Sequence, residues 1–204
     1  MHPYLRPLLG GWRAAGAVGS DVRRLLALHG CHATAAHSEA VAEAARRLAA
    51  QYGVPERAAE EAAWLHDVSA IIPAEKRLDA ARALGLEVLP EEAAFPMILH
   101  QRLSAVLAGQ AFGVEDPAIL SAIACHTTLK RGASALDQVV FLADKQAWDQ
   151  PGLPPYGADL ARALDESLEG ASLVYLSYLW ERRETLGALH PWLREAYEDL
   201  RARS

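Results

Sequence analysis

The chain has 204 residues and a formal net charge of −6. This length supports one well-filled core, and no low-complexity stretch or composition break marks a second unit, so we expect a single domain over residues 1–204. Because there is no Lys/Arg block, no apolar N-terminal leader and no apolar run that could span a bilayer, we expect a cytoplasmic protein that binds neither nucleic acid nor membrane.

The composition favours helices. Ala and Leu dominate the sequence and β-branched runs are few, which predicts an all-α fold, a helical bundle. Cys31 and Cys125 are too few for a disulfide scaffold and are not spaced as a zinc motif, so we predict two free thiols.

Apolar periodicity and end signals predict the helices of the first half of the chain. These are a helix capped by Ser20 and stopped by Gly30, one over Ala33 to Tyr52 closed by Gly53, one that begins at Pro55 and ends near His66-Asp67, and a small one over Ala74 to Leu84. The stretch from Gly85 to Pro90 is predicted to be a loop.

The same signals predict the helices of the second half. They run from Pro96 to Phe112, from Asp116-Pro117 to His126, from Ser134 to Asp144-Lys145, over Ala158 to Arg183 with a break near Gly170, and over Pro191 to Ala202, with a rigid loop over Pro151 to Gly157. No internal repeat is found.

Four histidines, each on a different predicted helix, stand in apolar surroundings, and two aspartates lie at or near predicted helix ends. They are His37, His66, His100 and His126, with Asp67 and Asp144. Burying them without partners would cost several kcal/mol, whereas divalent cations satisfy the lone pairs and offset the carboxylate charge. Six ligands exceed one tetrahedral zinc and suit two cations about 3.5–4 Å apart, with Asp67 able to bridge them.

The pattern of His37, His66-Asp67 and Asp144 resembles that of the HD-domain phosphohydrolase superfamily. The segments HSEAV (37–41), LHD (65–67), ILH (98–100), HTT (126–128) and LADK (142–145) resemble its YqeK-type branch, the symmetrical bis(5′-nucleosyl)-tetraphosphatases. The resemblance covers about residues 30–200. It implies a helical fold, a dinuclear centre usually reported as iron, and hydrolysis of diadenosine tetraphosphate to two ADP.

The resemblance also implies roles for individual residues. His37, His66, Asp67 and Asp144 would bind one metal ion, and Asp67, His100 and His126 the other; Asp67, His100 and His126 are taken as the catalytic set. It implies a metal-binding core over 30–150 and C-terminal helices over 151–204 that complete the pocket. Manganese, cobalt and zinc remain alternatives to iron, and a homodimer is the default oligomer.

Five residues are candidate contacts for the substrate, a nucleotide or dinucleoside polyphosphate. Thr127 and Thr128 offer hydroxyl donors, and Lys145, Lys130 and Arg131 offer positive charge. Each has an ordinary alternative, a helix-end turn for the threonines and a solvated surface for the cations.

Three positions depart from the pattern of the family that the chain resembles. Thr34, Ala70 and Gln150 stand where basic side chains would be expected to hold phosphates. Two alternatives to a tetraphosphatase stay open. One is a diiron oxygenase, because the same types of ligand suit redox-active iron. The other is a nucleotide-binding regulatory module with little turnover, which the loss of these three basic positions suggests.

Overall fold

The structure, a computed structural model, describes residues 1–203, and its regular elements are all helical, which confirms the all-α prediction. Ser204, the last residue of the predicted single domain, lies outside the described residues. The α-helices are α1 (Leu5–Leu9), α2 (Val18–Leu28), α3 (His32–Tyr52), α4 (Glu56–Leu65), α5 (Arg77–Ala83), α6 (Pro90–Ala94), α7 (His100–Ala111), α8 (Pro117–Cys125), α9 (Ala135–Gln146), α10 (Gly157–Leu164), α11 (Leu168–Glu181) and α12 (Pro191–Arg203).

Several predicted helix ends are confirmed. The Asp116 carboxylate accepts a hydrogen bond from the amide of Ala118 at the start of α8, and Ser134 with Asp137 forms a capping box on α9. Gly53 ends α3 in the left-handed region, with φ of 67°. These caps fix the start of α8 and of α9 and the end of α3. One candidate ligand lies on α3, one directly follows α8, and one lies on α9.

Two predicted boundaries are wrong. Ser20 does not cap α2 but lies inside it, because the buried carboxylate of Asp21 accepts the amides of residues 15–17 and thereby fixes the start of the helix. The break in the C-terminal helical region is not at Gly170 but between α10 and α11, since Ser167 caps α11 and binds the Gly170 amide.

The predicted helix from Pro96 to Phe112 begins as a tighter turn. Residues Pro96–Leu99 form a 3₁₀ helix, and the α-helix starts only at His100. Short 3₁₀ turns are frequent at helix N-termini. The consequence is that His100 stands at the junction of the two elements and not within the first turns of one helix.

The bundle is built around α3, α4, α8 and α9. Helix α3 packs against α4 and α9, α8 packs against α7 and α9, and α4 contacts both α8 and α9. These interfaces belong to one continuous apolar core, which contains the fully buried residues Leu65, Leu103, Ile123 and Leu142. This packing brings together the ends of α4, α7, α8 and α9.

The C-terminal helices attach to this core through α11, which packs against α9, and α12, which packs against α11. The division into a core of residues 30–150 and a C-terminal unit of residues 151–204 stays a prediction. No helix among the described residues is long and apolar enough to cross a bilayer.

A buried ionic group ties the segment before α12 to the body of the protein. The fully buried Glu92 carboxylate accepts hydrogen bonds from Arg102, at 2.8 and 3.0 Å, and from the Leu89 amide. Nε2 of buried His190 lies 3.4 Å from the same carboxylate. Burial raises the pKa of Glu92, but His190, the Leu89 amide and Arg102 outweigh it, and the pKa falls below its usual value.

We expect the substitution Glu92→Gln to lower the free energy of unfolding at pH 7 by about 1.5–3 kcal/mol, since it weakens charge-assisted hydrogen bonds. The folded pKa of Glu92 is depressed, so its contribution is present above the unfolded pKa of about 4.3 and is lost as the pH falls through the folded value. Urea unfolding at pH 7 and about pH 4 measures both effects. The exposed control Glu87→Gln should change little; equal stability of Glu92→Gln and wild type at pH 7 would contradict the assignment.

Candidate metal centre

The six predicted ligands come together at one place in the bundle. His37 lies in the second turn of α3, His66 follows the last residue of α4, and His126 follows the last residue of α8. The other three are Asp67, next to His66, His100, the first residue of α7, and Asp144, two residues before the end of α9. Helix ends therefore supply most of the site.

Three of the imidazoles are oriented in the same way. Nδ1 of His66, His100 and His126 lies 2.6, 2.7 and 2.8 Å, respectively, from the carbonyl oxygen of the residue three positions earlier. A carbonyl oxygen can only accept, so each Nδ1 carries the proton and donates it. Each ring therefore turns its Nε2 towards the other candidate ligands, as metal-binding histidines commonly do.

The Nε2 atoms fit a cation better than they fit one another. Nε2 of His100 and Nε2 of His126 lie 3.0 Å apart, although both rings already carry a proton on Nδ1. Among the described residues, Nε2 of fully buried His66 has no hydrogen-bond partner. Buried nitrogens with unshared lone pairs are costly when they are left without a partner, and a divalent cation removes that cost.

The ligand atoms form two groups that share one carboxylate. His37, His66 and Asp67 form one, and Asp67, His100 and His126 the other, with the atoms of each group within 4.8 Å of one another. Asp144 adjoins the first group, since its Oδ1 lies 2.9 Å from Nε2 of His37 and 3.6 Å from Nε2 of His66. The donor set, imidazole nitrogen and carboxylate oxygen, suits iron, zinc, manganese or cobalt.

Electrostatics keep the two carboxylates ionised. Burial raises the pKa of Asp67, but the neighbouring His66, His126 and His100 together bring it below its usual value. The same balance lowers the pKa of Asp144, where Lys145 is the main opposing charge. Both carboxylates are therefore negative and available to bind cations at neutral pH.

The pKa values of His100 and His66 are shifted in opposite directions. Burial lowers the pKa of His100 to about 4, an effect that the attraction of Asp67 only partly offsets. Burial also lowers the pKa of His66, but the charges of Asp67 and Asp144 outweigh it and raise the value to about 9. Without a cation, a proton on His66 partly balances the two carboxylates.

The five predicted substrate contacts lie in different places. The Thr127 hydroxyl is 3.0 Å from Nε2 of His100, beside the cluster. Lys145 is buried, and its ammonium group binds Asp144 and the His126 carbonyl. These two of the five are at the centre.

The other three are held elsewhere. Thr128 is fully buried and its hydroxyl donates to the Leu129 carbonyl. Lys130 binds the Ser121 hydroxyl and lies 3.5 Å from Asp137, while Arg131 is exposed and 3.7 Å from Glu198 on α12. The substrate-binding roles of all five stay predictions.

The sequence alone does not indicate a structural role for Gln101. Its fully buried side-chain oxygen accepts hydrogen bonds from the amides of Thr127 and Thr128, and so holds the turn that follows His126. Leu129 completes this turn with φ of 55°, a costly conformation for a residue other than glycine. A single glutamine in an apolar helix carries no signal of this role.

A cavity of about 170 Å³ opens onto the cluster. Its lining residues are Thr34, Asp67, Ala70, Arg77, Met97 and His100. Two positions without the expected basic side chain, Thr34 and Ala70, therefore do face the site. Gln150 is exposed, and its amide donates to neighbouring Asp149.

Comparison with known proteins places this geometry in a family. The HD domain model matches residues 34–149, a span that contains all six candidate ligands. An uncharacterised protein in the pepC 5′ region of Lactococcus lactis subsp. cremoris is 43% identical over 139 residues, covering 68% of this chain and 70% of that protein.

Two further relatives carry descriptions of function. A protein of Bacillus subtilis (strain 168) named symmetrical bis(5′-nucleosyl)-tetraphosphatase is 31% identical over 133 residues, covering 64% of this chain and 68% of its own length. A crystal structure described as a predicted HD superfamily hydrolase involved in NAD metabolism, from Clostridium acetobutylicum, superimposes with a TM-score of 0.76 at 28% identity. The superposition covers 82% of this chain and 88% of the Clostridium chain.

The substitution His100→Ala should remove one of the two metal ions. Because His100 belongs only to the second group of ligands, we expect the metal content of the purified protein to fall from about two ions per chain to about one. Elemental analysis after dialysis against metal-free buffer measures this. The matched control is His32→Ala, an exposed histidine on α3, which should keep both ions; two ions retained in His100→Ala would rule out the second group.

Proposed function

The chain belongs to the HD domain family, in its YqeK-type branch, and we propose that it is a divalent-metal-dependent phosphohydrolase that acts on a nucleotide polyphosphate. The proposed reaction is the symmetrical hydrolysis of diadenosine tetraphosphate to two ADP, or the corresponding cleavage of a related nucleotide polyphosphate. The homologues that carry the tetraphosphatase name support this choice of substrate class.

The observation that carries the proposal is the pair of ligand groups that share Asp67. His37, His66, Asp67 and Asp144 would hold one cation, and Asp67, His100 and His126 the other. Bound divalent cations supply activation of water near neutral pH and neutralisation of charge on phosphate oxygens. In this arrangement His66, His100 and His126 stay in one tautomer throughout, because their Nδ1 protons are held by backbone carbonyls.

The surrounding residues keep the centre charged and in place. Lys145, which is buried, pairs with Asp144 and prevents that carboxylate from taking up a proton. Gln101 fixes the turn that carries Thr127, whose hydroxyl is then in position to donate a hydrogen bond to a phosphate oxygen beside His100. We infer that Thr127 is a substrate-binding residue, and that Lys145 acts through Asp144.

The size of the cavity limits what enters it. At about 170 Å³, it is too small for a whole ligand of drug size, for which pockets of roughly 300–1,000 Å³ are typical. Because Asp67 and His100 of the candidate centre line this cavity, we propose that a phosphate group enters it and that the rest of the nucleotide lies outside. Iron as the metal, a homodimer and a cytoplasmic location stay predictions.

An assay of products tests the proposal. Protein loaded with iron, manganese or cobalt should convert diadenosine tetraphosphate to ADP as the sole nucleotide product, as measured by ion-exchange chromatography. The substitution Asp67→Asn should lower kcat/KM by about 100-fold or more, because Asp67 belongs to both ligand groups. Exposed Asp159→Asn is the matched control and should retain activity.

Other products or a lack of turnover would contradict the proposed reaction. AMP and ATP as products would exclude symmetrical cleavage. No turnover of any nucleotide with any of the three metals would reject the proposed function. Tight ADP binding without turnover would instead favour a regulatory module, and oxygen uptake without phosphate release would favour an oxygenase.

A further inference from the structure

Within residues 1–203, Arg77 is the only arginine or lysine that lines the cavity at the cluster. It is the first residue of α5 and faces the cavity together with Asp67 and His100 from the candidate centre. The same cavity is lined by Thr34 and Ala70, two of the positions where the sequence lacks an expected basic side chain. Positive charge is thus present at the mouth of the site, although it comes from a different segment.

The hydrogen bonding of Arg77 is incomplete. Its Nη1 donates to the Met97 carbonyl at 3.3 Å and contacts the Met97 sulfur at 3.1 Å. Nε is buried without a hydrogen-bond partner, and within residues 1–203 no hydrogen bond uses Nη2 and no carboxylate forms a salt bridge with Arg77. The donors Nε and Nη2, which lie on one edge of the guanidinium, are therefore both without a hydrogen-bond partner among these residues.

This edge has the geometry for binding a phosphate. Nε and Nη2 of arginine present two parallel N–H groups, which match two oxygens of a phosphate in a bidentate hydrogen bond. The Asp67 carboxylate in the same cavity attracts the half-buried guanidinium but forms no salt bridge with it. Asp67 belongs to both candidate ligand groups, so cations bound there would take up its negative charge, and an anionic ligand in the cavity would then be the partner of Arg77.

We propose that Arg77 binds phosphate oxygens of the substrate and thereby takes the place of the basic side chains absent at positions 34 and 70. This assignment rests on the proposed function, in that the ligand is a phosphate of a nucleotide. In this role Arg77 contacts the phosphate chain of the substrate and not its base. It makes the site selective for substrates that carry negative charge next to the phosphate being cleaved.

Equilibrium binding tests the role of Arg77 without requiring turnover. Protein loaded with manganese is titrated with ADP and, separately, with inorganic pyrophosphate in a calorimeter. We expect Arg77→Met to weaken binding of both ligands by about 10- to 100-fold with unchanged metal content, because a charge-assisted bidentate contact is lost. The affinity of Arg77→Lys should lie between those of Arg77→Met and wild type, since lysine keeps the positive charge but not the two parallel N–H donors of the guanidinium.

The control Arg82→Met removes an exposed arginine from the same helix and should bind both ligands as wild type does. Equal affinity of Arg77→Met and wild type would overturn the assignment, even if wild type hydrolyses diadenosine tetraphosphate. Loss of metal in Arg77→Met would also overturn it, because Arg77 would then support the centre itself. So would a failure of wild type to bind either ligand.

The two proposals fail separately. If wild type hydrolyses no nucleotide but binds ADP and pyrophosphate in a manner that depends on Arg77, the proposed reaction is wrong and the phosphate site stands. If hydrolysis occurs and the affinity does not depend on Arg77, the reaction stands and the phosphate site is wrong.

Discussion

The structure depends on the orientation of three imidazole rings, two of them buried, His66 and His126, and one partly exposed, His100. Each donates its Nδ1 proton to the carbonyl three residues earlier, so each turns its Nε2 towards a shared space. That space also contains two ionised carboxylates, Asp67 and Asp144. Lone pairs and negative charges that lie this close together inside an apolar core repel one another. Divalent cations bound between them would replace this repulsion with attraction.

The positions of the helix ends follow from this requirement. Carbonyl groups in the last turn of a helix lack the usual partner four residues on, and so can accept a ring N–H. His66 and His126 each stand just past the end of a helix and use such a carbonyl. His100 makes the same bond across the junction between the 3₁₀ turn and α7. The packing of α4, α7 and α8 then needs only to bring three helix ends together.

The sequence was informative where local chemistry decides the structure. Caps at Asp116 and Ser134 predicted two helix starts, and the unusual placement of histidines in apolar segments predicted which residues would meet. The Ser20 cap was wrong because Asp21, one residue later, binds three amides at once. The predicted break near Gly170 was wrong because the sequence alone does not distinguish a glycine in the first turn of a helix from a glycine between two helices.

Other features required tertiary structure. Arg77 and Gln101 are ordinary residues in the sequence. Arg77 acquires its neighbours when α5 packs against the 3₁₀ turn at Pro96–Leu99, and Gln101 when α7 packs beside the turn after His126. Conversely, Lys130 and Arg131 offered charge near His126 in sequence but have partners on other helices. Proximity to His126 along the chain therefore does not decide whether a side chain lies beside the cluster.

Anomalous diffraction from crystals grown with manganese tests most directly whether two cations share Asp67. We expect two anomalous peaks per chain about 3.5–4 Å apart, one beside His37, His66 and Asp144 and one beside His100 and His126, with the Asp67 carboxylate in contact with both. A single peak, or two peaks of which only one lies within bonding distance of Asp67, would contradict this expectation.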